Sequence, residues 1–362
     1  MKLGDVCTKG TSNIAQKDLD ARNGTYPIYG ASGFIKNVDF YHQEKPYIAI
    51  VKDGAGVGRV MQLPAKSSVI GTMQYIIPNE GVSVEYLAYA LEHMNLSKYY
   101  LGAAIPHIYF KDYCSETLPN HTPKEQAHIS HALGLVSNLI FLRNQQRSKL
   151  DELVKSRFIE LIGEPESNPL HWKMLPLENC LTVLGGYAFK SEEFKTSGVP
   201  VLRIGNINTG VFTPTNMVYW SKDASLERYQ VLPGDLVISL TGTVGKDDYG
   251  NVCILGNAYP LYYLNQRNAK LNLGESLNKH YLSELLKFSQ IKKKLTGISR
   301  GVRQANISNR DILNLVVPIP PIELQTQFAS FVEQIDKSKF EIQKSLEKLE
   351  TLKKALMQKY FG

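Results

Sequence analysis

Two stretches of the chain carry a seven-residue apolar period. The first runs from Gln126 to a break at Gly163 and the second from Gln325 to Gly362. In the first, Ile129, Val136 and Leu150 share one register, and Leu133, Ile140, Val154 and Leu161 share the other. Arg143 and Arg147 interrupt the middle. In the second, Phe328, Ile335, Ile342, Leu349 and Leu356 are spaced by sevens, with Val332, Leu346 and Tyr360 as companions and Lys339 and Lys353 interrupting. Sustained patterning of this kind predicts coiled-coil helices rather than isolated surface helices. Two helices of equal length most simply pair with each other. Antiparallel pairing brings Arg143 and Arg147 near Glu341 and Glu347, where ion pairs would fix the register. The alternative is that both arginines snorkel to solvent.

The rest of the chain alternates short apolar runs with turn signals. Tyr47–Val51, Arg59–Met61 and Gln74–Ile77 read as strands, bounded by Asn23-Gly24, Asp53-Gly54, Pro64 and Asn79-Glu-Gly81. Val199–Ile204, Asp235–Leu240 and Val252–Leu255 read likewise. Shorter helices fit Val84–His93 and Asn278–Leu295. The punctuation before each long helix recurs. Gly102-Ala-Ala-Ile-Pro-His-Ile-Tyr-Phe-Lys-Asp112, Leu118-Pro119 and Pro123-Lys-Glu-Gln126 precede the first. Gly297-Ile-Ser-Arg-Gly-Val-Arg-Gln-Ala-Asn-Ile307, Val317-Pro318 and Pro321-Ile-Glu-Leu-Gln325 precede the second, and the two Gln positions are 199 residues apart. A period near 200 is a duplication signal and not a solenoid repeat. The expected fold class is α+β: two mixed α/β segments separated by a long antiparallel two-helix coiled coil, in a pseudo-twofold internal repeat. The expected boundaries are 1–124 and 164–321 for the globular segments, and 125–163 and 322–362 for the helices.

The 362 residues are 43% hydrophobic and 21% charged, which fits a folded two-domain chain and excludes a mostly disordered one. The net charge of +7 is a modest excess that favours a polyanionic partner. Cys7, Cys114, Cys180 and Cys253 lie far apart with no C-x-x-C pair, so buried reduced thiols are expected. No signal-peptide core and no run of 18 apolar residues is present. A reducing cytoplasm is the expected compartment.

Enzyme motifs are largely missing. Gly54-Ala-Gly-Val-Gly58-Arg59 lacks the G-x-G-x-x-G spacing and a following helix, and reads as a turn. Gly245-Lys246 is followed by Asp247, so it is not a P-loop. No Asp/Asn-Pro-Pro-aromatic motif of amino-methyltransferases occurs. His128 and His131 lie one helical turn apart without a third ligand, so no metal site is assigned.

What remains is polar, glycine-rich and basic. Arg300, Arg303, Gln304 and Asn306 occupy one run; Arg pairs bidentately with guanine, and Gln or Asn with adenine. Arg203, Asn206, Asn208, Thr241, Thr243 and Arg267 add donors, with Tyr187 and Lys190 upstream. The counterparts in the first segment are Tyr29, Ser32, Lys52, His107 and Lys111. Glycines beside them allow close approach to phosphates. The bland alternative for each is ordinary loop chemistry.

These motifs resemble the specificity subunits of type I restriction–modification systems, over essentially the whole chain. The most specific pieces are Gly297 to Ser308, Val317-Pro-Ile-Pro-Pro321 and the Glu/Gln helix entry. Tyr26-Pro-Ile-Tyr-Gly-Ala-Ser-Gly-Phe34 with Asp53–Gly58 resembles one class of target-recognition domain. Gly186-Tyr-Ala-Phe189, Arg203-Ile-Gly-Asn-Ile207 and Gly234-Asp-Leu-Val-Ile238 resemble another. The resemblance implies a non-catalytic DNA-binding subunit used in DNA methylation and host defence. Each target-recognition domain would read half of a split double-stranded site. The helices would act as a ruler and dock two methyltransferase subunits, and up to two restriction and translocase subunits could join. S-adenosylmethionine, ATP and Mg would be bound by those partners, and no cofactor by this chain. Two rival readings are a coiled-coil scaffold without DNA reading and a standalone nuclease. A scaffold predicts no salt-dependent DNA binding. A nuclease predicts cleavage by the chain alone with Mg²⁺.

The Gly102 run offers Pro106 and His107 where the later run has Arg300 and Arg303, so the two half-sites should differ and the target should be asymmetric. Arg303→Ala is expected to weaken one half-site by about 1–3 kcal/mol. Binding to DNA variants altered in one half at a time checks this, and equal loss at both halves contradicts it.

Overall fold

The structure is a computed structural model that describes residues 1–100, 106–297 and 304–362. The chain divides into two compact units. One comprises Met1–Gln146 with Ile342–Gly362, and the other Arg147–Glu341. Each long helix therefore contributes one part to each unit.

The first unit begins with α1 (Leu3–Val6), β1 (Cys7–Thr11), β2 (Tyr26–Gly30), β3 (Gly33–Val38), β4 (Tyr47–Val51), β5 (Val60–Leu63), β6 (Ser68–Val69) and β7 (Met73–Pro78). An antiparallel sheet has the order β1-β7-β4-β5, and a smaller one the order β3-β2-β6. Every residue of β4 is buried, which explains its unbroken Tyr-Ile-Ala-Ile-Val run. Ile48 and Ile50 pack on one face with Leu87, Ala90 and Leu91 of α2 (Val84–His93). Tyr47, Ala49 and Val51 pack on the other with Val69 and Tyr29. After α3 (Phe110–Tyr113) comes α4 (Pro123–Ile162). Thr122 and Glu125 exchange amide-to-side-chain bonds of 2.7 and 3.4 Å around Pro123, so the helix opens on a capping box with proline in its first turn. Gly163 ends it at φ +85, and the Trp172 indole donates to the carbonyl of Ile162 at 2.7 Å.

The second unit holds β8 (Lys173–Pro176), β9 (Leu181–Gly185), β10 (Val199–Leu202), β11 (Val218–Trp220), β12 (Gln230–Val231), β13 (Leu236–Ser239), β14 (Thr241–Thr243), β15 (Val252–Ile254), β16 (Tyr262–Leu264) and β17 (Asn268–Leu273). Then follow α5 (Lys279–Lys287), α6 (Ser289–Thr296), β18 (Gln304–Asn306), α7 (Asn309–Leu313), β19 (Val316–Ile319) and α8 (Ile322–Phe361). The sheet orders are β11-β10-β16-β12 and β15-β13-β17-β9, with two-stranded pairs β14-β18 and β19-β8. The stretch read as one helix over 278–295 is broken at Phe288, which is extended at ψ 128. Its ring lies 4.8 Å from that of Phe158.

Within each unit the parts of α4 and α8 lie against each other. Ile129, Leu133 and Met357 share a cluster with Tyr86 in the first unit. In the second, Val154, Phe158 and Ile162 share a core with Phe328, Val332 and Ile335. Lys339 meets Asp151 at 2.6 Å. The buried seam departs from the strict heptads at both helix C-termini, using Phe158 and Ile162 where Leu161 was expected, and Met357 where Leu356 was. A helix of 3.6 residues per turn drifts against a 3.5 repeat, which moves the seam by one position. Arg143 donates to Gln146 of its own helix at 2.8 Å, and Glu347 accepts from Gln343 at 3.2 Å. Among the described residues Arg143 and Glu347 do not pair with each other.

One device occurs in both units. Gln126 is buried at the entry of α4; its carbonyl oxygen accepts from the amide of Ser83, the residue that caps α2, at 3.1 Å. Gln325 is buried at the entry of α8 and accepts from the amide of Asn278, the cap of α5, at 2.9 Å. Three residues beyond each cap a tyrosine hydroxyl donates to a proline carbonyl: Tyr86 to Pro119 at 3.3 Å and Tyr281 to Pro318 at 2.6 Å. All four cysteines are free thiols, Cys114 half-buried and the others buried. Among the described residues no helix is long and apolar enough to cross a membrane.

Gln325 also donates to the carbonyls of Ser276 at 3.0 Å and Pro320 at 2.8 Å. Gln325→Leu removes the partner of three backbone groups, of which the Pro320 carbonyl is buried, at a cost of about 1–3 kcal/mol for each that water cannot reach. Thermal unfolding should show a lowered midpoint, and an unchanged midpoint would contradict the assigned role.

Candidate nucleic-acid interface

In the first unit the glycine-rich loop after β4 organises the candidate residues. Gly54, Gly56 and Gly58 all have φ between +82 and +88, and a Cβ on Gly58 would meet the amide of Ser97 at 2.5 Å. Only glycine fits there without strain. The loop pairs with the segment at 106–108. Gly54 donates to Pro106 at 2.9 Å and Ile108 donates to Lys52 at 3.0 Å. This brings Lys52, His107 and Lys111 together. Asp53 joins them, accepting from His107 Nδ1 and lying 3.7 Å from the Lys52 ammonium. The His107 ring meets Tyr109 edge-on at 4.1 Å, and Lys111 lies over the Tyr109 ring at 5.2 Å. Arg59 donates to the carbonyl of Ala31 at 2.8 Å, tying the loop to the β2–β3 turn that carries exposed Ser32. Tyr29 lies half-buried beneath that turn, and burial raises its hydroxyl pKa. Asp53 stands beside Lys52 in the run that sequence marks, whereas Arg59 and Tyr109 were not singled out as candidates, because only the fold joins the loop to residue 107.

In the second unit a parallel strand pair sets the geometry. β10 and β16 pair with Leu202 opposite Leu264, so the residues just beyond each strand lie side by side. Arg203 follows β10, and Asn265-Gln266-Arg267 follows β16. They line a cleft of about 620 Å³ with Phe189 and Phe194. Arg203 donates to the carbonyl of Asn216 at 2.6 Å, while its Nε is buried without a partner. Arg267 is exposed. Asn206 is buried and holds the turn itself, accepting from the Arg203 amide and donating to Thr213 and Thr215. Its amide group is therefore used within the fold. The carbonyl of Asn208 accepts from Asn251 at 2.5 Å. Tyr187 packs on the same β16–β17 turn, with backbone bonds of 2.8 Å to Leu264 and Gln266. Lys190 reaches Glu193 at 3.4 Å.

The remaining candidates form a ribbon. Strands β14 and β18 pair antiparallel, Thr241 opposite Asn306 and Thr243 opposite Gln304. Asp248 accepts from the Thr243 amide at 2.8 Å and its hydroxyl at 3.0 Å. These bonds, the amide first, hold the Asp248 carboxyl below the usual carboxylate range. Leu240, at the ribbon base, donates to the Arg267 carbonyl at 2.8 Å and accepts from Ile307 at 2.8 Å. Arg300 and Arg303 lie outside the described residues. A basic cleft of about 870 Å³ beside the ribbon holds Lys246, Lys287, Lys292 and Lys293. Sequence reading passed over these lysines because they are spread across two distant segments. Lys292 is largely buried there against Asp247 and Asn251.

A family profile described as "Type I restriction modification DNA specificity domain" matches residues 1–152 and 169–354. The MjaVIII type I restriction enzyme specificity subunit of Methanocaldococcus jannaschii is 27% identical over 351 residues, covering 90% of this chain and 81% of that protein. The EcoKI specificity subunit of Escherichia coli K12 is 24% identical over 206 residues, 52% of this chain and 42% of that protein. The crystal structure of a type I restriction–modification S subunit from M. genitalium matches with a TM-score of 0.62 at 15% identity, covering 100% of this chain and 95% of that one.

The Asp248 carboxylate holds the turn after β14, and protonation weakens it as an acceptor. Because its pKa is depressed in the folded state, the bond persists at neutral pH and is lost as pH falls through that lowered value. Hydrogen exchange should show a protected Thr243 amide at pH 7 that becomes labile in acid. In Asp248→Ala it should be labile throughout; equal protection in the variant would contradict the role.

Proposed function

The chain belongs to the type I restriction–modification DNA specificity family, and on that premise we propose that it reads the DNA sequence for a complex whose other subunits do the chemistry. Each globular part reads one half of an asymmetric bipartite duplex site. Residues 1–124 and 164–321 are the two target-recognition domains. The helices at 125–163 and 322–362 pair antiparallel as a coiled coil and relate the halves by a pseudo-twofold repeat. Their length sets the spacer, and their outer faces dock two methyltransferase subunits. A restriction and translocase pair completes the assembly where the nuclease is present. S-adenosylmethionine, ATP and Mg belong to those partners, and the complex works in the cytoplasm.

The observation that carries this reading is the doubled family match. Each match spans a globular part and most of the long helix that follows it. The buried Gln126 and Gln325 make the same kind of bond in each half, which supports two copies of one unit. Polar side chains on an exposed loop and on a two-stranded ribbon suit recognition of base edges, since a β-ribbon fits the major groove.

A helical rod of about 37 residues measures roughly 55 Å, and readers on one face of B-DNA are spaced by turns of about 34 Å. Deleting one heptad from each long helix removes about 10 Å. At about 3.4 Å per base pair the preferred spacer should shorten by about three base pairs. Selection of bound DNA from a random pool, with the methyltransferase partner present, reads the spacer directly. An unchanged spacer would contradict the ruler.

A further inference from the structure

The cleft at the ends of β10 and β16 has the wrong shape for reading bases. Base edges lie at the floor of a groove about 8.5 Å deep, so a reader has to project into it. What projects from a duplex is the phosphate backbone, and a concave surface receives a ridge. The chemistry of the cleft points the same way. Arg203 is half-buried with its Nε unmet, and neither it nor Arg267 faces a carboxylate among the described residues. A partly buried guanidinium whose one protein partner is a neutral carbonyl has lost hydration without gaining a counter-charge. Guanidinium groups bind phosphate oxygens in paired, charge-assisted hydrogen bonds.

We propose that Arg203 and Arg267 grip a phosphodiester of the DNA backbone, and that the β14–β18 ribbon, not the cleft, enters the major groove. This rests on the DNA-reading role proposed above and divides the work within the second globular part. The ribbon carries Thr241 opposite Asn306 on two short strands. Its base is bonded to the cleft, since Leu240 donates to the Arg267 carbonyl at 2.8 Å. The phosphate grip therefore sets the height and angle at which the ribbon meets the bases. Arg267 is a positioning residue: it fixes where the readers stand and carries no sequence information itself.

The test uses the full chain with its methyltransferase partner and a random-sequence duplex pool. Arg267→Ala should select the same motif as the unaltered protein, bind every sequence more weakly, and lower the salt slope by about 1. Arg267→Lys should keep the slope. Replacing single phosphodiesters by methylphosphonates beside one half-site should weaken the unaltered protein at one or two positions. At those positions Arg267→Ala should be indifferent. Asn306→Ala should instead change the preferred base. The proposal is overturned if Arg267→Ala alters a base preference, if its salt slope matches that of the unaltered protein, or if the methylphosphonate penalty persists in it. If the unaltered protein selects no motif at all, the DNA-reading role itself fails, and that result is distinct from the other three.

Discussion

A buried glutamine at the entry of each long helix is the contact on which the arrangement depends. Gln126 and Gln325 are each almost fully covered, and each holds the capping residue of a shorter helix by its backbone amide. A buried amide that loses its partners is costly, so the start of each long helix is fixed to its own globular part. The tyrosine–proline bonds of Tyr86 and Tyr281 reinforce the same joint. In the proposed ruler this anchoring would matter most, because any play at the start of a helix is multiplied along its length.

The far end of each helix is fixed by packing instead. Phe158 lies flat against Tyr281 at 5.6 Å and edge-on to Phe328 at 5.2 Å. Met357 lies with Tyr86, Ile129 and Leu133. Leu135, Leu139, Phe141 and Leu142 on α4 stay exposed in the chain. In the proposed assembly such an exposed apolar face is the kind of surface that a partner subunit would cover.

The long helices were legible because period and punctuation agree. Pro123 and Pro321 precede the helical runs, Gly163 follows the first, and α4 and α8 span Pro123–Ile162 and Ile322–Phe361. The seam at their ends was misread by one residue because the heptad template assumes 3.5 residues per turn throughout. The break at Phe288 was also missed. The pattern on either side of it is helical, and only burial of the ring beside Phe158 makes an extended residue favourable there. Among the site residues, sequence showed types and not meetings. Arg203 and Arg267 are far apart in the chain, and the parallel pairing of β10 with β16 puts them in one cleft. Asn206 looked like a free donor and is a turn-former. Asp248 carried no signal in the sequence and holds the turn after β14.

If this chain chooses where a complex modifies DNA, losing it must change the methylation pattern of the cell. The most direct test is a single-molecule map of N6-methyladenine in the source cell, with the gene present and deleted. One asymmetric, bipartite motif should lose its methylation on deletion, and all other motifs should keep theirs. Retention of every methylated motif, with the methyltransferase partner expressed and active, would contradict it.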